Sequence, residues 1–183
     1  MDFGNIESPK IIEYFRTIYA NATNSLAIGP VSRKYDLKAT PSNNTFSIWG
    51  IIYTLLFFLA FIPHDKNTSL YNKSMRLNRE WICAFTQEKL VQSSNILNEL
   101  RDIMLELADK APCGFQQNSY DIYATWTIFA AFLNKFIVDV HVYGKRDRSM
   151  EAVCDLVRSL EKKKLRRFQK WTINWAKSGI KGL

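Results

Sequence analysis

The chain has 183 residues, enough for one domain with a sizeable core, and its 47% hydrophobic and 14% aromatic residues exclude disorder for the bulk of it. Seven Gly, five Pro and no sustained apolar/polar alternation argue against a sheet, so the class is all-α. The net charge is +8, and its excess lies at one end: residues 1–143 hold thirteen basic and thirteen acidic side chains, residues 144–183 twelve and four.

Cys83, Cys113 and Cys154 are odd in number and widely spaced, which excludes zinc-ligand spacing and a complete disulfide framework and points to reduced thiols in an intracellular setting. The first ten residues carry Asp2 and Glu7 and no apolar segment of signal-peptide type.

The first helix is expected from Ser8, as cap, to about Asn24, with Ile12, Phe15, Tyr19 and Ala22 at helical spacing and Lys10, Glu13 and Arg16 making it a poor membrane span. Gly29, Pro30, Pro41 and the polar Ser42 to Asn44 then predict a loop over about 27–44. Residues 45–62 (TFSIWGIIYTLLFFLAFI) carry no charge and form the most apolar stretch; as a helix they reach roughly 27 Å, just short of a bilayer core of ~30 Å. A polar loop over 63–74 follows, then residues 75–86 and 87–110 as two helices or one bent one. In the second of these a Leu90, Leu97, Leu100, Met104, Leu107 stripe opposes Glu88, Lys89, Glu99, Arg101, Asp102 and Glu106. Pro112 and Gly114 break the chain before a helix over 120–141, in which Lys135 and Asp139 stand one turn apart. Beyond Gly144 to Arg148, one long basic amphipathic helix is expected over 150–177, with Val153, Val157, Leu160, Phe168, Trp171 and Trp175 on its apolar side. The expected organisation is a bundle over 1–143 with a basic helix from 144–183 packed on it.

Three pieces occur in a meaningful order. NATNSLAIGPVSRKYDLKATPSNNTFSIWGIIYTLL holds Gly29, the Ser32 to Tyr35 step, Pro41 and Thr45 to Leu56; Asn78, Trp81 and Phe85 form an N-x-x-W step; Tyr123, Trp126, Ala130 and Asn134 complete the set. Together they resemble the TspO-like, tryptophan-rich sensory protein family over residues 20–140. The resemblance implies a five-helix bundle and, in members of that family, a membrane setting and a porphyrin or sterol bound between helices. Carried over residue by residue, it makes Trp49, Tyr53, Asn78, Trp81, Trp126 and Asn134 the ligand-pocket residues. Thr125 departs from the family pattern, which has a small Gly before the tryptophan. The charges on the first, third and fifth helices would each cost roughly 2.5–3.5 kcal/mol near a bilayer centre, and the mean hydropathy of −0.18 is that of a soluble protein. Residues 45–62 are accordingly expected to be the most buried element of the bundle.

Catalytic chemistry finds no footing. His64 and His141 lie in separate segments with no nucleophile or metal-ligand spacing beside them, and neither nucleotide-binding glycine motif is present. No metal, catalytic residue or obligatory cofactor is expected. The basic surface of Lys162, Lys163, Lys164, Arg166, Arg167 and Lys170, with Trp171 and Trp175, suits acidic protein faces, an anionic membrane or, without specificity, nucleic acid. The leading expectation is a non-enzymatic structural subunit, a repurposed TspO-like bundle within a larger assembly such as a virion shell of minor capsid type, touching other subunits, with 45–62 and 150–177 as the segments open to contact with a membrane surface. The alternative is a membrane-embedded TspO-like protein that binds porphyrin or sterol.

Overall fold

The computed structural model describes residues 9–62 and 67–180. The expected cap Ser8 and the loop histidine His64 lie outside the described residues. All regular structure among them is helical, in the order α1 (Pro9–Lys34), a 3-10 turn (Asn43–Ser47), α2 (Ile48–Ala60), α3 (Thr68–Thr86), α4 (Leu90–Lys110), α5 (Phe115–His141), α6 (Ser149–Glu161) and α7 (Arg167–Gly179). The all-α class therefore holds, while the count differs from the five helices the resemblance implies.

Several helices depart from their expected bounds, among them α5, which begins at Phe115 and not at 120. α1 runs through Gly29 and Pro30 to Lys34; Pro30 faces solvent while Val31 is buried, so packing of the last turns outweighs a mid-helix proline cost of about 3 kcal/mol. α3 begins at Thr68 within the expected polar loop, because Tyr71 is buried with its hydroxyl donating to the Leu56 carbonyl and Ser74 bonds back to the Tyr71 carbonyl. The long C-terminal helix is broken at residues 162–166 into α6 and α7.

α4 and α5 share the most extensive packing, α3 lies against α1 and α4, and α2 contacts α1 and α5. α2 is not the most buried element. Ile48, Ile52, Leu56 and Leu59 form its inward stripe, but Gly50, Thr54 and Phe58 are exposed, as is Phe61 just beyond it. The centre is the first half of α5, where residues 119–127 are buried without interruption. Three of its polar members find partners locally or at long range: Ser119 bonds the Phe115 carbonyl, Thr127 the Ala124 carbonyl, and Asp121 receives Arg166 and Gln169. No helix among the described residues is long and apolar enough to cross a membrane.

The α3–α4 turn places Glu88 in the left-handed region at φ 58°, and its carboxylate accepts Lys34 Nζ at 2.5 Å and Tyr35 Oη at 2.6 Å. The Lys34 bond, followed by that of Tyr35, holds the Glu88 carboxyl below its usual range. The expected Lys135–Asp139 pair forms at 3.1 Å, and Lys145 reaches the same carboxylate at 2.7 Å.

Ahead of α6, Asp147 accepts the backbone N–H groups of Lys38 and Ser149, both at 2.8 Å. Burial acts to raise its carboxyl, but the Ser149 and Lys38 bonds outweigh it and leave the group below its ordinary value of 3.8. A depressed carboxyl stabilises the fold fully above its unfolded value and loses that contribution as pH falls through the folded one. Asp147→Asn is therefore expected to lower the melting temperature at pH 7 and to converge with the wild type under conditions acid enough to protonate Asp147 in the folded protein, a comparison that paired thermal melts provide.

Candidate ligand site between α2, α3 and α5

Helical spacing builds this site in pairs. Trp49 and Tyr53 are one turn apart on α2; Asn78, Trp81 and Phe85 share a face of α3; Tyr123 and Trp126 share one of α5. Where the three helices meet, the rings form a continuous ladder: Tyr53 stacks on Trp49 and Trp49 on Trp81, each with centroids 5.6 Å apart at 22°, and Trp81 stacks on Phe85 at 5.9 Å and 27°. Tyr123 and Trp126 meet the Trp49 ring edge-on at 6.0 and 6.3 Å, and Phe46 from the 3-10 turn meets Trp126 in the same way at 6.4 Å. Both arrangements are the ones a ring quadrupole favours.

A short polar chain runs through the ladder. Tyr53 Oη donates to Asn21 Oδ1 at 2.7 Å and reaches Asn78 Oδ1 at 3.2 Å, while Asn78 Nδ2 donates to Tyr123 Oη. Burial pushes both tyrosine hydroxyls well above their ordinary range, so they stay neutral across the physiological range and remain able to donate. Removing the Tyr123 hydroxyl in Tyr123→Phe leaves one buried Asn78 N–H short of a partner and is expected to cost about 1–3 kcal/mol, read by urea unfolding.

Two donors in the cluster have no acceptor among the described residues: Trp81 Nε1 and Trp126 Nε1 make no hydrogen bond there, although these residues are only 8% and 3% exposed. Buried polar groups are normally paired, and an orphan N–H is left where strain or an absent partner explains it. Trp49 is only partly buried, so the ladder is reachable from one side.

Of the residues named from the sequence, Trp49, Tyr53, Asn78, Trp81 and Trp126 converge here. Asn134 does not: it lies eight residues beyond Trp126, about 12 Å along the helix, where its side-chain amide lies 3.3–3.5 Å from Ser93 Oγ of α4. Asn21, Phe46 and Tyr123 belong to the cluster and escaped the reading as site residues; Tyr123 lies three residues before Trp126, a spacing that signals a shared face.

The basic surface is also smaller than its sequence. Lys162, Lys163, Lys164, Arg167 and Lys170 are exposed, and none pairs with a carboxylate among the described residues. Arg166 instead turns inward, its guanidinium gripping both oxygens of the fully buried Asp121 and reaching the Ala108 carbonyl. Trp175 is partly buried, donating Nε1 to the Thr45 carbonyl at 3.2 Å, while Trp171 is 37% exposed beside it. Arg166 and Trp175 thus belong to the packing between α7 and the bundle, not to a contact surface. Cys83, Cys113 and Cys154 are free thiols.

Neither curated proteins nor solved structures give a match to the chain. The family model described as TSPO-like protein matches residues 11–147, which span α1 to α5 and every residue of the aromatic cluster. That match covers well over half of the sequence and takes in all three pieces on which the resemblance rests. The chain belongs to the TSPO-like protein family.

Proposed function

We propose that this protein is a non-catalytic TspO-like binder of a flat, apolar ring compound, a porphyrin in preference to a sterol, held in the aromatic cluster between α2, α3 and α5. The observation that carries the reading is the pair of buried indole N–H groups, Trp81 Nε1 and Trp126 Nε1, that face no acceptor within a ladder of stacked rings. A planar conjugated ligand stacks on rings of this kind, and a carboxylate or ring heteroatom on it supplies the missing acceptor. A sterol offers one hydroxyl and no π face, which is why the porphyrin ranks first.

Exposed apolar side chains suit a ligand of this class and the setting in which it is delivered. Ile12, Phe15 and Tyr19 on α1, with Phe58 and Phe61 at α2, are exposed and fit contact with lipid or with a partner subunit. Protoporphyrin titrated into the protein is expected to quench tryptophan fluorescence saturably with one site per chain, and cholesterol titrated in parallel to do so less or not at all. A linear, unsaturable response to both would remove the reading.

A second reading places the protein in a larger assembly, of which a virion shell is one kind, and the five unpaired cations over 162–170 favour it as a surface for acidic partners. That surface is its only support, and the family match favours the ligand reading. Binding to nucleic acid through the same cations would weaken steeply with salt whatever the sequence offered.

A further inference from the structure

The family match ends at residue 147, before α6 begins at Ser149, so α6 and α7 are an addition to the matched frame. We propose that this α6–α7 segment is a strap that holds down the segment 36–47 over the aromatic cluster, and that its release opens the ligand's way in; the proposal rests on the ligand reading above.

The segment connects α1 to α2 and ends in Phe46, whose ring closes on Trp126. Its backbone is tied from outside at four points by the C-terminal addition and its lead-in. Lys38 N–H donates to Asp147 at 2.8 Å and Ala39 N–H to Ser149 Oγ at 3.2 Å; Ser42 N–H donates to the Gly179 carbonyl at 2.8 Å; Trp175 Nε1 donates to the Thr45 carbonyl at 3.2 Å. Among the described residues the other long-range hydrogen bond to this segment joins His141 to the Asp36 carbonyl, while the Ile48 N–H of α2 caps its last turn. The segment's remaining bonds are internal, such as Thr40 N–H to the Leu37 carbonyl.

The far end of the strap fits its seat closely. At Gly179 a Cβ would lie 1.6 Å from Thr45 Oγ1 and 2.6 Å from Thr45 Cβ, so only glycine permits α7 to lie this close to the 3-10 turn. The near end is fixed: Arg166, heading α7, is held by Asp121 of α5. The strap is anchored at its base, and its tip is seated by two neutral hydrogen bonds together with the buried side chains of Ala176 and Ile180, the construction of a latch. If the closed state dominates, the ligand waits on the small open fraction, and weakening the tip raises that fraction and with it the association rate.

The test uses the full-length chain and protoporphyrin, followed by stopped-flow absorbance so that changed tryptophans do not disturb the readout. Trp175→Phe keeps a ring and removes one bond; it is expected to raise the association rate about fivefold. Gly179→Ala, which forces α7 off Thr45, is expected to raise it about tenfold or more. Hydrogen exchange in the absence of ligand should show the Lys38, Ala39 and Ser42 amides exchanging faster in both variants while the α4 and α5 amides keep wild-type protection. Unchanged association rates, with wild-type protein binding normally, overturn the strap and leave the ligand site standing. Unchanged exchange at residues 38–42 overturns it as well, and absence of binding by the wild type removes the ligand reading and the gate together.

Discussion

Arg166→Ala is expected to lower the stability of the fold by about 2–4 kcal/mol in urea unfolding, the largest effect of any single surface-accessible charge. Asp121 is fully buried in the centre of α5, and Arg166 is its only cationic partner among the described residues, with Gln169 adding a bond at 3.3 Å. Removing the guanidinium strands a carboxylate where solvent does not reach, a loss that runs to about 3–5 kcal/mol for fully buried pairs. The lower figure is expected here because the arginine side is itself 37% exposed, so the original pair is already partly solvated. Adding Asp121→Asn to Arg166→Ala should restore part of the loss, since a neutral amide is cheaper to leave in place than a charge. Lys163→Ala, on an exposed cation three residues away, should be neutral within ~0.5 kcal/mol. That contrast separates the residue that fastens α7 from those that merely surround it.

Trp49→Ala is expected to weaken porphyrin binding about ten- to a hundredfold, the second large effect. Trp49 is the middle rung: it stacks on Tyr53 and Trp81 and receives the edges of Tyr123 and Trp126, so its loss removes the ring that four others touch. Each aromatic pair is worth about 0.5–1.5 kcal/mol beyond the area it buries, and two stacked partners give the range stated. Asn134→Ala should leave affinity unchanged because Asn134 pairs with Ser93 away from the cluster. An affinity equal to wild type in Trp49→Ala would place the ligand elsewhere.

The elements most readable in sequence were those with an unbroken apolar run or a regular helix period. The uncharged apolar run over 45–62 marked α2, and the Leu90 to Leu107 stripe marked α4. The order of burial was not readable in this way. Hydropathy ranks residues 45–62 first, yet α5 is the centre, because Asp121 and Thr127 hide their polarity by finding partners inside the protein. The inward turn of Arg166 depends on a partner 45 positions earlier in the chain, and nothing in a run of five neighbouring cations marks which one is spoken for. Pro30 misled for the converse reason: its local cost is real, but the burial of Val31 is decided by tertiary packing.

At the site, Trp49, Tyr53, Asn78, Trp81 and Trp126 were legible through the family resemblance, which carried their positions over. That Asn134 leaves the group follows from distance along the axis, which spacing on a helical wheel does not display. The unpaired state of the two indoles is visible only once every neighbouring acceptor has been placed.

The indole N–H resonances of Trp81 and Trp126 test the central claim most directly. In a 15N spectrum of full-length protein, assigned with single Trp→Phe variants, saturation with protoporphyrin should move these two signals downfield as they gain an acceptor, while the exposed Trp171 stays in place. Binding that leaves both signals unmoved, or shifts only Trp171, would contradict a ligand seated in the ladder between α2, α3 and α5.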